Sequence, residues 1–154
     1  MQFLVTGGTD KRCRIFSAFV DTVDSTDDAD QFGGIFPNQF EFGEVLHEFD
    51  FNAAWINAVA WGPGYFRIAF AAHNSTISFA QILAGGQPPA VQTLRVEGLP
   101  YQSLAFLSDN SVVASGWDYR PHVYVAGGAA HDPKWCAVIH RTTHSPPLLS
   151  FVCV

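Results

Sequence analysis

Two segments of this sequence carry residue types that bind metal ions, and the first is rich in aspartate. Its four carboxylates lie close together, at Asp24, Asp27, Asp28 and Asp30. A calcium loop of the EF-hand type needs Gly at its sixth position and Glu at its twelfth. Counted from Asp24, those positions hold Ala29 and Ile35. The pattern therefore predicts a solvated acidic loop rather than a calcium site.

The second segment, CAVIHRTTH, spaces Cys136, His140 and His144 four residues apart. On a helix this spacing would align three zinc ligands on one face. A structural zinc site needs four ligands, and no CxxC half-site is present to complete it. We therefore predict no metal site, with these histidines incidental to a strand or a tail.

Sequence patterns of enzymes are also missing. The chain contains no GxSxG, HExxH or phosphate-binding loop pattern. The glycines of GGTDKR and GPGY fit tight turns, because no helix-forming segment follows them. We predict no catalytic residue, no cofactor and no enzymatic activity.

The charge distribution argues against nucleic acid as a partner. The net charge is −6, and the interval between Arg14 and Arg67 contains nine acidic residues and no Lys or Arg. Such an interval repels phosphate. No apolar run approaches the roughly 20 residues that span a bilayer, so no membrane insertion is expected. Three cysteines without a CxxC pair or a secretory leader favour a reduced, cytoplasmic compartment.

The elements that must position these residues are short strands. Three segments share one layout of strand, turn and strand, and the same place in each turn holds Asp10, Asn74 or Asp118. An Asp or Asn there can accept hydrogen bonds from backbone N–H groups that the turn leaves unpaired. Asn74 and Asp118 are 44 residues apart. A period near 44 with alternating apolar residues predicts an all-β propeller, with about 40–45 residues per blade.

Predicted boundaries follow from these repeats. Residues 1–130 form a partial propeller with blade units at 3–18, 42–82 and 91–125, and the acidic loop spans 21–39. Segments 42–49 and 91–96 are predicted outer strands. Residues 131–154 diverge, with one outer strand around Trp135 to Ile139 followed by a disordered end. Four tryptophans are predicted to pack within or between blades, Trp55, Trp61, Trp117 and Trp135, and two histidines to lie at turns or on the rim, His73 and His122.

Several of these segments, in this order, resemble one family. They are GGTDKRCRIFSAF, FGEVL, WINAVAWGPGYFRIAFAAHNSTISFA and TLRVEGLPYQSLAFLSDNSVVASGWDYRPHVYV, and together they are similar to the WD-repeat subunit of the actin-related protein 2/3 complex. The resemblance implies a WD-repeat β-propeller of which this chain supplies about three to three and a half of seven blades. Residues after about Ala130 do not resemble the family's next blade. The family's protruding loop, associated with actin contacts, has no counterpart here, so no actin contact is carried over to any residue.

By the same resemblance, the chain is expected to be a non-enzymatic structural subunit that supports nucleation of branched actin filaments. Its expected partners are the other subunits, actin and nucleation-promoting factors, in the cytoplasm and at the actin cytoskeleton. One alternative is a generic WD-repeat scaffold for protein interactions in another complex. A second is a propeller enzyme with carboxylates near a central channel. The concentration of acids in one insertion argues against that second alternative.

Overall fold

In a computed structural model, the chain is described over residues 3–20, 22–24, 41–50, 52–64, 66–83, 87–129, 132–139 and 150–152. Within these ranges it forms twelve β-strands and no helix, which confirms the all-β prediction. No helix long and apolar enough to cross a membrane occurs in this part of the chain. The strands form three antiparallel sheets in which neighbours along the chain are neighbours in space.

The first sheet has three strands, β1 (Phe3–Gly7), β2 (Cys13–Ser17) and β3 (Val45–Phe49). The second has four, β4 (Ile56–Trp61), β5 (Arg67–Ala72), β6 (Thr76–Gln81) and β7 (Ala90–Arg95). Gly, Pro, Asp and Asn in the connections between most of these strands favour turns and keep them short.

The third sheet has five strands, β8 (Tyr101–Ser108), β9 (Ser111–Gly116), β10 (His122–Ala129), β11 (Asp132–Ile139) and β12 (Ser150–Val152). The outer strand predicted around Trp135 to Ile139 lies within β11. The tail forms two strands of this sheet in the ranges described, whereas one strand was predicted.

The predicted blade units divide the chain at the wrong places. The unit 42–82 combines β3 of the first sheet with the second sheet, and the unit 91–125 combines most of β7 with the third. In the structure β3 pairs with β2, and β7 pairs with β6 over their whole length. Each outer strand therefore completes the sheet that precedes it, because it pairs with the last strand of that sheet.

Two apolar layers hold the three sheets together. Between the first and second sheets lies a cluster that includes Cys13, Ile15, Phe49, Ile68 and Phe70. Between the second and third lies a cluster that includes Ala69, Ile77, Phe79, Tyr101, Val112 and Trp135. Successive side chains of a strand point to opposite faces. The second sheet is consequently buried on both faces, which accounts for the nearly continuous apolar run of β5.

One aromatic contact joins β11 of the third sheet to the second sheet. The rings of Phe79 and Trp135 stack with centroids 4.2 Å apart and planes 6° apart. The side chain of Gln92 on β7 accepts a hydrogen bond from the Trp135 N–H (2.7 Å) and donates one to the Trp135 carbonyl (3.1 Å). An amide side chain therefore joins β7 of the second sheet to β11 of the third.

Some predicted features fall outside the described residues. Of the acidic loop 21–39, only residues 22–24 are described, and residues 131, 140–149 and 153–154 of the tail are not. In the described strand β5, Ile68 and Phe70 are two residues apart and pack in one layer. Phe66 precedes β5 and is exposed.

Candidate interaction surface

Three turns at one end of the sheets share one backbone geometry. They connect β1 to β2, β5 to β6 and β9 to β10. In each, the Asp or Asn is followed by a residue with positive φ, in the pairs Asp10–Lys11 (68°), Asn74–Ser75 (60°) and Asp118–Tyr119 (57°). A turn that ends in a left-handed residue is a common connection in three-residue hairpins. The repeat seen in the sequence is thus a repeat of backbone conformation.

The side chains of these three turn residues accept local hydrogen bonds. Asp10 Oδ1 accepts one from the Arg12 N–H (3.3 Å), and Asp118 Oδ1 accepts one from the Arg120 N–H (3.4 Å). The side-chain oxygen of Asn74 accepts one from the hydroxyl of Thr76 (2.7 Å). In every case the donor residue is two positions later in the chain than the Asp or Asn. That these bonds order the turns stays a prediction.

Ion pairs surround the first turn. Arg14 contacts Asp10 at 2.7 Å and Glu48 at 2.6 Å, and Arg12 also pairs with Glu48. The hydrogen bond from Arg14 lowers the pKa of Asp10, and the same contact raises the pKa of Arg14. These groups are solvated, so their main effect is to orient one another.

Two β-bulges place polar side chains at the start of the strands β4 and β8. In the pairing of β4 with β5, Ile56 faces Ala72 and Ala58 faces Ala71, so Asn57 is the extra residue. In the pairing of β8 with β9, the same irregularity leaves Gln102 unpaired between Tyr101 and Ser103. A bulge turns a side chain away from the regular alternation of a strand. Asn57 and Gln102 therefore occupy equivalent positions in two adjacent sheets.

These bulges and turns enclose a cleft of about 450 Å³ between the second and third sheets. It is lined by Trp55, Asn57, His73, Gln102 and Trp117. His73 and Trp117 each directly precede the Asn or Asp of their turns. We call this group of five residues the tryptophan cleft. It combines two indoles, an imidazole and two primary amides.

Hydrogen bonds fix one wall of the tryptophan cleft. The His73 N–H donates to the Trp55 carbonyl (2.8 Å), and the two rings lie 5.7 Å apart. The amide nitrogen of Asn57 donates to the Tyr101 carbonyl and to Nδ1 of His73, both at 3.3 Å. An amide nitrogen only donates, so Nδ1 of His73 accepts. Asn57 thereby links the second sheet to the third.

The tryptophan prediction holds fully for two residues, and the other two are only half covered. Trp135 is buried, and Trp61 stacks on Phe3 of the first sheet at 6.0 Å. Trp55 and Trp117 line the cleft between the second and third sheets and are 52% and 50% exposed. Both precede positions where the backbone departs from regular strand geometry, which sequence periodicity does not reveal.

Behind the third turn lies a partly buried polar cluster. His122 Nε2 contacts Asp118 Oδ2 at 2.8 Å, and the His122 ring meets Tyr101 edge-on at 5.4 Å. His122 begins β10 and is half-buried, whereas His73 lies in a turn as predicted. The hydroxyls of Tyr101 and Tyr124 are 2.7 Å apart, and burial raises the pKa of both phenols. The cluster contacts the turn through the hydrogen bond between His122 and Asp118.

Among the described residues, no three His, Cys, Asp or Glu side chains come together as they would around a metal ion. Asp27, Asp28 and Asp30 lie outside those residues, as do His140 and His144. Cys136 is buried in β11.

Sequence comparison finds relatives for most of the chain. A protein from Arabidopsis thaliana is 32% identical over 123 residues, which cover 80% of this chain and 31% of the relative. One from Schizosaccharomyces pombe is 32% identical over 119 residues, covering 77% of this chain and 30% of the relative. Both are named as subunit 1 of the actin-related protein 2/3 complex. The resemblance predicted from the sequence segments is thereby confirmed.

This chain spans about a third of the length of those subunits. No family model matches it. Among solved structures, it is similar to the β-propeller domain of Cps50 (Swd1) from Myceliophteria thermophila, with a TM-score of 0.57 and 10% identity. That likeness covers 92% of this chain and 36% of the other. It shows the fold alone, a partial β-propeller, as predicted.

Proposed function

We propose that this chain is a section of the WD-repeat subunit of the actin-related protein 2/3 complex. Its role is structural and non-enzymatic, supporting the nucleation of branched actin filaments. The observation that carries the proposal is the identity of 32% with subunit 1 over 80% of the chain. The three sheets are consistent with it, because sheets that pack through apolar layers provide a rigid frame for contacts.

The expected partners follow from this assignment. They are the other subunits of the complex, together with actin and nucleation-promoting factors, and the site of action is the cytoplasmic actin cytoskeleton. The chain presents half-exposed Trp55 and Trp117 and the 92% exposed Tyr119 at one end of its sheets. Trp and Tyr are enriched at protein interfaces, which supports a role in binding rather than in chemistry.

A second candidate is a propeller scaffold in a different assembly. The structural likeness to Cps50 (Swd1), a protein with a different name from the relatives found by sequence, shows that this fold also occurs elsewhere. Propellers serve many unrelated functions, so the fold does not decide between the two candidates.

The test is affinity purification of the endogenous protein with a C-terminal tag, followed by mass spectrometry of the intact proteins that co-purify. We expect actin-related proteins 2 and 3 in amounts equal to the tagged protein. Their absence, with other partners present in equal amounts, would support the second candidate. As a control, Trp135→Asp should abolish co-purification in either case, because it places a charge in the layer between two sheets.

A further inference from the structure

We propose that the tryptophan cleft binds an arginine side chain from a segment of a partner protein. The proposal rests on the proposed function only in treating the chain as an interaction module. It concerns the chemistry of one contact and does not depend on which complex supplies the partner.

The aromatic residues of the cleft provide the first argument. Trp55 and Trp117 line the same cleft and are each about half exposed. The face of an indole attracts a cation, and a guanidinium also stacks on it because it is planar. The same chain already shows such a pair, since the guanidinium of Arg67 lies 6.0 Å from the centre of the Trp135 ring.

The polar residues of the cleft provide the second argument. Asn57 uses its amide nitrogen for Tyr101 and His73, so its carbonyl oxygen is the group left to accept a hydrogen bond. Gln102, exposed on its bulge, adds a second amide carbonyl. Arginine has five N–H donors and no acceptor, so it matches two carbonyl oxygens between aromatic walls.

Charge provides the third argument. None of the five lining residues is Lys or Arg, so an acidic side chain would find no cation there. The neighbouring turn residues Asp118 and Arg120 have opposite charges, and the chain as a whole has a net charge of −6. An acidic protein attracts basic segments before contact is made.

The cleft is also preorganised. Its side chains project from turns and bulges that are held by backbone hydrogen bonds, such as that from His73 N to the Trp55 carbonyl. A rigid site loses little conformational entropy on binding. Because this entropy cost is small, the contacts of a single side chain can suffice for recognition.

The experiment titrates the full chain with three pentapeptides, acetyl-GGXGG-amide, in which X is arginine, citrulline or glutamate. Citrulline keeps the size and shape of arginine but lacks its charge. Binding is followed through the indole N–H signals of Trp55 and Trp117 in ¹H–¹⁵N NMR spectra. We expect the arginine peptide to shift both signals in a saturable way and to bind about fivefold or more tightly than the citrulline peptide. The glutamate peptide should not bind.

Two substitutions test the site directly. Trp117→Leu should weaken binding of the arginine peptide about fivefold or more, while the Trp55 signal reports that the fold is intact. Gln102→Glu should strengthen binding about threefold or more, because it adds a carboxylate to the cleft. Its matched control is Leu107→Glu, an exposed residue on the same strand about 16 Å further along. This control adds the same charge and should leave binding unchanged.

Equal binding of the arginine and citrulline peptides would overturn the proposal, as would an equal gain from Gln102→Glu and Leu107→Glu. Neither result bears on co-purification with actin-related proteins. A failure of this proposal and a failure of the proposed function are therefore distinguishable.

Discussion

Three turn residues have backbone conformations that favour glycine. Lys11, Ser75 and Tyr119 have positive φ, which costs an L-residue roughly 1 kcal/mol through a clash of its Cβ with the backbone. Tyr119 is 92% exposed, so little burial offsets this cost in the chain alone. The exposed ring is available for contacts outside the chain.

We therefore expect Tyr119→Gly to raise the free energy of unfolding by about 0.5–1 kcal/mol. Urea denaturation followed by circular dichroism measures it. Tyr119→Ala is the matched control, because it removes the ring but keeps the Cβ, and it should bring no such gain. A glycine variant no more stable than the alanine variant would contradict the explanation.

Burial also determines the reactivity of Cys13. Its side chain is fully buried between the first and second sheets, and this burial raises the pKa of the thiol to about 12. Because the thiolate is the reactive form, we expect iodoacetamide at pH 8 to leave Cys13 unmodified in the folded chain. Modification should become rapid in concentrated urea. Mass spectrometry of the peptide that contains Cys13 measures both rates, and rapid labelling without urea would disprove the prediction.

Residue types predicted the turns better than they predicted the cleft. Asp10, Asn74 and Asp118 stand out in the sequence because Asp and Asn favour turns. Asn57 and Gln102 do not, since a bulge depends on how two strands pair and leaves no regular sequence pattern. The cleft could be recognised only after the register of both strand pairs was known.

At the scale of the strands, the contact between β7 and β11 depends on one amide. Gln92 both accepts from and donates to the backbone of Trp135. We expect Gln92→Ala to lower the free energy of unfolding by about 1–3 kcal/mol, because it leaves a half-buried N–H and a carbonyl without their partners. Urea denaturation gives the value.

The matched control for Gln92→Ala is Gln102→Ala. It removes the same side chain from an exposed position, so it should change stability by less than about 0.5 kcal/mol. Equal effects of the two substitutions would show that the amide contact does not stabilise the contact between sheets.

The strands themselves were largely predictable, but their partners were not. Residues 42–49 and 91–96 have the composition of strands, and β3 and β7 lie there. Strand composition does not specify which sheet a strand joins. That is decided by side chains distant in sequence, as when Phe49 packs with Cys13 and Ile15.

At the scale of the whole molecule, pH should affect stability through His47 on β3. Burial lowers the pKa of His47 below its usual 6.5. Below pH 6.5 the unfolded chain therefore binds a proton that the folded chain resists, so this residue destabilises the fold as the pH falls. Asp10 acts in a separate window, because its stabilising ion pair is lost only below its usual pKa of 3.8.

We accordingly expect His47→Gln to reduce the loss of stability between pH 7 and pH 5. Urea midpoints at both pH values, for the variant and the parent chain, give the difference. An unchanged pH dependence in His47→Gln would exclude this residue as the cause.

The propeller architecture was the most predictable feature of the whole molecule. A repeat near 44 residues with strand alternation indicated a propeller, and the solved structure with a TM-score of 0.57 agrees. The extent of the tail was less predictable, because β12 pairs with only residues 137–139 of β11. So short a strand leaves little pattern in a sequence.

The burial of the second sheet on both faces has a consequence for how the molecule opens. A backbone amide in β5 or β6 can exchange its hydrogen with water only when a neighbouring sheet has moved away. Loss of one neighbour still leaves the opposite layer in place. Deuterium uptake should therefore proceed from the outer sheets inward, with β5 and β6 the last to exchange. The exchange rates of the β5 and β6 amides would then report the slowest opening motion among the three sheets.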